Sequence, residues 1–384
     1  MRFNQAVVLI ASTLLLALIV SACDGNIPTS SPPTLSPAPS TPAPSTLAPP
    51  TSALPYKVRY TGPFISGNIA YILGKLVSGK CNLFCSYPLA TVLPPGYGQA
   101  EVLLTGWQAE NLGGSTRLHR LALSARSMAY DPATGNFNWE AAADIRETAD
   151  FGDEYRFTLY FTIVLTKPAG AQLVVFPHTC SKAAGAYCKS NIIVASIIPP
   201  GWELLALGVQ GFALQSGSGS PPNGILLNHL AIDVSSWKPV GSDLDTHMNC
   251  EMGDATPTEP ISCGIDVIAI VAAPGEAYQV HFASSHTSPT SYTSNATEIP
   301  PPLAIPPMDG AFGGLERFLL TFPIKHESKT WSWAADYNDI LICPNMIDFC
   351  YNRIGFLGDT FGSMTNLVAF DMEIKAFSIW IRPP

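Results

Sequence analysis

The sequence predicts an all-β protein: three tandem antiparallel β-sandwich domains behind a disordered Pro/Ser/Thr-rich linker. Three observations carry this. First, only 13% of the 384 residues are charged while 47% are hydrophobic, and 35 prolines and 30 glycines leave little room for long helices. Second, one pattern is written three times. Gly67, Gly170 and Gly275 each open a copy, 103 and 105 residues apart. Pro94-Pro95, Pro199-Pro200 and Pro306-Pro307 follow, 105 and 107 residues apart, each ahead of an apolar run at 100–107, 204–212 and 315–322. Third, each copy closes on a long apolar strand, at 156–165, 265–272 and 368–381. Copies of this length are too long for solenoid units, so each is sized as a small domain.

Residues 1–22 read as an export signal. Arg2 supplies a positive start, and 6–20 is an apolar run of fifteen. That is too short to cross a bilayer, which needs about 20 residues. The run ends in Val20-Ser21-Ala22-Cys23. The combination resembles a bacterial lipoprotein signal peptide with its lipobox. The resemblance implies cleavage before Cys23 and acylation of its thiol and new amine. It also implies a place in the bacterial cell envelope, lipid-anchored, with the folded part outside the cytoplasm. The alternative is a plain secretory signal with an incidental cysteine. Residues 23–55 read as a tether, because 27–55 are almost all Pro, Ser, Thr, Ala and Leu. Such a tract cannot bury enough surface to fold and extends at about 3.1 Å per residue, up to roughly 90 Å in all.

The chain has nine cysteines. With Cys23 set aside for lipid, the other eight fall in close pairs: Cys81 and Cys85, Cys180 and Cys188, Cys250 and Cys263, Cys343 and Cys350. In an exported chain this reads as four local disulfides. Cys85 and Cys188 each lie 18 residues after their opening glycine. The last two pairs read as standing in long loops before a final strand. Zinc is the rival reading, but it wants CxxC-like spacing with four converging ligands, and no two pairs share a spacing.

The first repeat, 56–166, offers strands at 69–73, 100–107, 118–124, 136–141 and 156–165. In the last of these, Phe157, Leu159, Phe161 and Ile163 alternate with Thr158, Tyr160 and Thr162, which predicts one core face. Asp131-Pro132-Ala133-Thr134-Gly135-Asn136 is a turn signal. The second repeat, 167–274, offers 172–176, 191–198, 204–214, 224–234 and 265–272. The third, 275–384, offers 278–283, 314–322, 330–335, 339–343 and 368–381. Its closing strand is apolar on both faces.

Repeat one resembles the H-type lectin domain. The likeness rests on Ser66-Gly67-Asn68-Ile69, Leu93-Pro94-Pro95 before Val102-Leu103-Leu104, Leu118-His119-Arg120-Leu121, Gly135-Asn136-Phe137 and Phe161-Thr162-Ile163-Val164. It covers about ninety residues and fades in the other two repeats. It implies an antiparallel sandwich that assembles in threes and binds sugars, with the ligand arginine at Arg120. Three copies in one chain suit a pseudo-trimer. The family's Trp-His ligand pair has no counterpart; Ala143-Asp144-Ile145 stands nearby instead. Asn228 and His229 occupy the comparable place in repeat two. Trp331-Ser332-Trp333 puts two indoles two residues apart on a strand, the best candidate for an exposed sugar platform.

Other chemistry is sparse. A net charge of −9 with no basic run argues against nucleic acid. No HExxH, GxSxG or phosphate-cradling glycine loop occurs, and no cofactor or metal is implied. Asp243-Leu244-Asp245-Thr246-His247 gathers two carboxylates and an imidazole, which could ligate calcium but reads first as a solvated polar loop. The expected function is therefore a non-enzymatic, lipid-anchored surface protein that binds a glycan or another surface polymer. One alternative is a structural envelope or appendage component acting through protein contacts. Another is a β-sandwich glycoside hydrolase, which needs two facing carboxylates.

Overall fold

Each repeat lays down its strands in one order, and a computed structural model gives their pairing. It describes residues 55–111, 117–147, 154–185, 187–217, 225–226, 229–253, 260–276, 278–287, 295–299, 310–321, 331–336, 352–356 and 371–381. The signal at 1–22, Cys23, nearly all of the tether, Asn228, Cys343, Cys350 and the candidate strand at 339–343 lie outside the described residues.

The first segment forms β1 (Tyr56–Ser66), β2 (Ile69–Ser78), β3 (Cys81–Asn82), β4 (Phe84–Val92), β5 (Gln99–Asn111), β6 (Arg117–Tyr130), β7 (Asn136–Glu147) and β8 (Glu154–Thr166). The second forms β9 (Ala171–Lys182), β10 (Tyr187–Val194), β11 (Glu203–Ser216), β12 (Ile225–Leu226), β13 (His229–Val240), β14 (Asp243–Gly253) and β15 (Ile261–Ala272). The third forms β16 (Tyr278–Thr287), β17 (Asn295–Ile299), β18 (Gly310–Thr321), β19 (Trp331–Asp336), β20 (Asn352–Phe356) and β21 (Asp371–Ile381).

The protein is all-β, and its strands pair into three antiparallel sheets. The orders are β1-β2-β8-β5-β19-β20-β17, β4-β7-β6-β11-β15-β9 and β10-β14-β13-β18-β21-β16. Every sheet joins two segments. Strands β2-β8-β5, β9-β15-β11 and β16-β21-β18 are the corresponding halves of the three segments. Onto the last strand of each is sewn a half from another segment, by β19, β6 and β13 respectively. The joins run from the first segment to the second, from the second to the third, and from the third back to the first. The segments anticipated as free-standing domains thus share their sheets edge to edge, which leaves fewer unpaired strand edges than three separate sandwiches would. Within the first segment two layers face each other: Trp139 packs on Phe161 with ring centroids 4.7 Å apart, and Tyr87 on Phe157 at 5.9 Å.

The three-way correspondence extends to single residues. Strands β5, β11 and β18 carry a bulge at Thr105, Gln210 and Glu316, where each register skips one residue. All three are buried polar side chains; Gln210 donates to Glu101 at 3.0 Å and Glu316 accepts from Trp237. Two positions later stand Trp107, Phe212 and Phe318, whose ring centroids form a triangle with sides of 5.6, 5.0 and 5.2 Å. Two positions before the bulge stand Leu103, Gly208 and Gly314. A Cβ at Gly208 would overlap Leu103 Cδ1, and one at Gly314 would lie 2.7 Å from Leu103 Cδ2. One large residue and two glycines therefore share a space too small for three side chains. A second apolar cluster draws on all three segments through Tyr71, Leu103, Val164, Ile268, Phe312 and Phe377.

Strand β8 accordingly departs from expectation. Its second face is also buried: Thr158, Thr162 and Val164 are at most 6% exposed. On that face Val164 belongs to the shared central cluster, and Tyr160 accepts a hydrogen bond from Lys75 at 3.0 Å. The turn at 131–136 forms as its sequence implies: Asp131 accepts the backbone N–H of Ala133 at 3.0 Å, and Gly135 takes a φ of 77°.

Three disulfides join Cys81 to Cys85, Cys180 to Cys188 and Cys250 to Cys263, with Cα separations of 5.8, 6.0 and 6.7 Å. They suit folding in an oxidising compartment outside the cytoplasm. Cys250 and Cys263 lie on strands β14 and β15, not in a long loop. Nor is 243–247 a loop. It opens β14, whose alternate residues Leu244, Thr246, Met248, Cys250 and Met252 are all buried.

Candidate functional site

A groove of about 380 Å³ lies at the join of the first two segments, on the sheet containing β6 and β11. Its floor is made of small residues: Ala122, Ser124, Ala142, Gly211, Ala213 and Gly264. Large side chains here would fill the depression, so the run of Ala, Ser and Gly is what makes it a groove. Its polar groups come in opposed pairs. Arg120 Nε donates to Asp144 Oδ2 at 2.7 Å, and its Nη1 donates to Gln215 Oε1 at 2.8 Å. Arg146 grips the same carboxylate through Nε at 2.6 Å and Nη2 at 2.9 Å. Further along, Arg126 donates twice to Asp266 Oδ2, at 3.0 and 2.6 Å. Glu140 accepts from Ser86 Oγ. Bidentate pairs of this kind hold planar groups in fixed orientation.

Arg120, chosen from the sequence, therefore does face this groove. Asp144 is the carboxylate that holds it. Gln215, Arg126 and Asp266 were not anticipated. Gln215 and Asp266 come from the second segment, and no local motif connects them to Arg120. His119 turns the other way. It is buried, and its Nδ1 lies 2.5 Å from the carbonyl oxygen of Ser216. Burial lowers its pKa below the usual histidine value, outweighing that carbonyl.

A second groove, of about 520 Å³, occupies the matching place where β13 meets β18. Lys189, Asn191, Asp233, His247, Asn249 and Arg317 line it. Here Arg317 bridges Asp233 at 3.3 Å and Glu373 at 3.0 Å. The register makes the comparison of sites specific. Arg120 lies opposite Gln215, His229 opposite Thr321, and Ser332 opposite Glu110, at equivalent steps of the three joins. His229 therefore holds Arg120's place in the second segment. Trp331 and Trp333 flank that place in the third, opposite Asn111 and Ala109.

Asp243, Asp245 and His247 lie at alternate positions of one strand. Asp243 Oδ1 accepts the backbone N–H of Ser196 at 2.8 Å, a structural use that ties β14 to the turn after β10. His247 Nε2 is 3.7 Å from Asp245 Oδ1. Among the described residues, the cluster of three metal-capable side chains is Cys180, Cys188 and Cys263, all of which are in disulfides.

No protein-family model, curated protein or solved structure matches the chain.

Proposed function

We propose that this protein is a lipid-anchored cell-envelope binder of a glycan or another hydroxyl-rich surface polymer. On this reading it is built as three H-type-lectin-like sandwich repeats in one chain, one polypeptide standing in for a trimer. The observation that carries the reading is the groove around Arg120. Fixed guanidinium–carboxylate pairs stand there over a floor of small side chains. Such a floor lets a sugar ring approach the backbone, and the pairs offer donors and acceptors to neighbouring hydroxyls without a large net charge. A second polar groove at the equivalent join supports multivalent attachment, which suits a polymer of repeating units. The cyclic joining of segments supports the pseudo-trimer. The signal-like residues 1–22, Cys23 and the tether at 23–55 support a lipid anchor with a stalk.

The test is a glycan array probed with the soluble folded part. Bound glycans are expected, with affinity about tenfold weaker or more in Arg120→Ala, the scale of losing a charged hydrogen bond. An empty array, or an unchanged profile in Arg120→Ala, overturns the reading. An empty array together with specific cross-links to envelope proteins in intact cells would favour the structural alternative. Hydrolysis draws no support from the groove, where Asp144, Asp266 and Glu140 are each held by an arginine or a serine.

A further inference from the structure

A third hollow, of about 410 Å³, is lined by Ser235, Trp237, Phe282, Ser284, Glu316 and Lys375. It shares nothing with the Arg120 groove. The Trp237 and Phe282 ring centroids are 6.1 Å apart with planes inclined at 58°, so the two rings form an open wedge. Trp237 is half-buried, whereas Phe282, in the middle of β16, is 52% exposed. At the base lies Glu316, only 3% exposed, with Oε1 accepting the indole Nε1–H of Trp237 at 3.4 Å. That contact turns the indole N–H toward the base of the hollow. Two hydroxyls, a carboxyl and an ammonium surround the wedge.

These contents narrow the ligand class. A flat aromatic ligand would want parallel ring faces, and 58° denies it a sandwich. An organic cation would meet Lys375, and a compact anion would find a single cation beside two aromatic rings. A saturated ring suits both parts of the hollow, with one face of C–H groups for the aromatics and hydroxyls at its rim for the polar groups. We propose that this hollow binds one pyranose ring of a glycan, its C–H face on Trp237 and Phe282 and its hydroxyls toward Glu316, Lys375 and the two serines. The proposal rests on the glycan reading for its ligand class alone. Trp237 and Phe282 touch the sugar; Glu316 is a positioning residue for the indole.

The experiment is a tryptophan-fluorescence titration of the folded part with methyl pyranosides and short oligosaccharides, with Trp237→Phe identifying the signal of that indole. A saturable change is expected, weakened about tenfold or more in Phe282→Ala, on the scale of losing a principal contact; the same loss in Trp237→Ala is read by calorimetry. Glu316→Gln keeps an acceptor for the indole and retains binding, whereas Glu316→Leu loses it. Phe282 is exposed, so its variant tests the site even if Trp237→Ala does not fold. If no saccharide alters the Trp237 signal, or if Phe282→Ala binds like wild type, the proposal is overturned. An array that loses its signal only in Arg120→Ala would remove this proposal and leave the groove reading standing.

Discussion

Replacing Glu316 by Gln should abolish a large pH dependence of stability. The three bulges carry Thr105, Gln210 and Glu316, so at this step of the fold only the third segment buries an ionisable group. Burial raises the Glu316 pKa from 4.5 to about 8. The Trp237 hydrogen bond opposes this, Asp233 adds to it, and Lys375 opposes it. Arg317, next in sequence, is occupied by Asp233 and Glu373. The sign follows from proton linkage. Below pH 4.5 the acid is protonated in both folded and unfolded chains and contributes nothing. Between 4.5 and about 8 the unfolded chain has released the proton while the folded chain keeps it, so stability falls as pH rises. The slope is about 1.4 kcal/mol per pH unit, which accumulates to about 5 kcal/mol by pH 8 and is constant beyond. That is comparable to the whole stability of many domains, roughly 5–15 kcal/mol. Glutamine keeps the shape and the acceptor for Trp237, and the second segment already uses Gln210 in this place. Urea unfolding of wild type and Glu316→Gln from pH 4.5 to 9 gives the difference directly, because all other titrations cancel. The variant should gain steadily on wild type up to pH 8. A difference that stays flat from pH 5 to 8 would mean that Glu316 ionises normally in the folded protein and would refute the argument.

Phe212→Ala removes one corner of the aromatic triangle and should cost about 3–5 kcal/mol in chemical denaturation, with Phe318→Ala in the same range. Gly208→Ala forces a Cβ onto Leu103 and should cost about 1–3 kcal/mol; adding Leu103→Ala should cost less than the sum of the two single changes. Peptide mapping without reduction should recover the pairs Cys81–Cys85, Cys180–Cys188 and Cys250–Cys263. The exchanged set, Cys188–Cys250 with Cys180–Cys263, is the informative competitor, because these residues face each other across their ladders. Cys23→Ser should release the protein from the membrane fraction of the native host, measured by fractionation and by loss of acyl mass.

Much of the framework was legible because it is local. Alternation marked β8, apolar runs marked β5, β11 and β15, and three cysteine pairs close in sequence are bonded among the described residues. Segment-to-segment correspondence also carried Arg120 to Asn228-His229, and the register places His229 at Arg120's step. Other features were hidden by composition. Strand β14 alternates strictly, but its outward Asp243, Asp245, His247, Asn249 and Glu251 outweigh the buried Thr246, Met248 and Cys250 to the eye. In β4, Pro88 and Ser86 broke the apolar signal. Edge sharing between segments was not legible, since a strand's sequence records which face is buried and not which neighbour supplies the hydrogen bonds. For the same reason the site was read as isolated residues. Asp144 and Gln215 reach Arg120 from adjacent strands, and Trp237, Phe282 and Glu316 come together from three.

The pseudo-threefold arrangement requires the third segment to close back onto the first. Gln108 and Ala334 are register partners across β5 and β19, as are Ala122 and Ala213 across β6 and β11. Cysteines placed at Gln108 and Ala334 should form a bridge, detected by mass spectrometry of the digested, oxidised protein. The account predicts that bridge at a yield like that of the Ala122 and Ala213 pair. Free thiols at 108 and 334, with the other pair bridged, would contradict it.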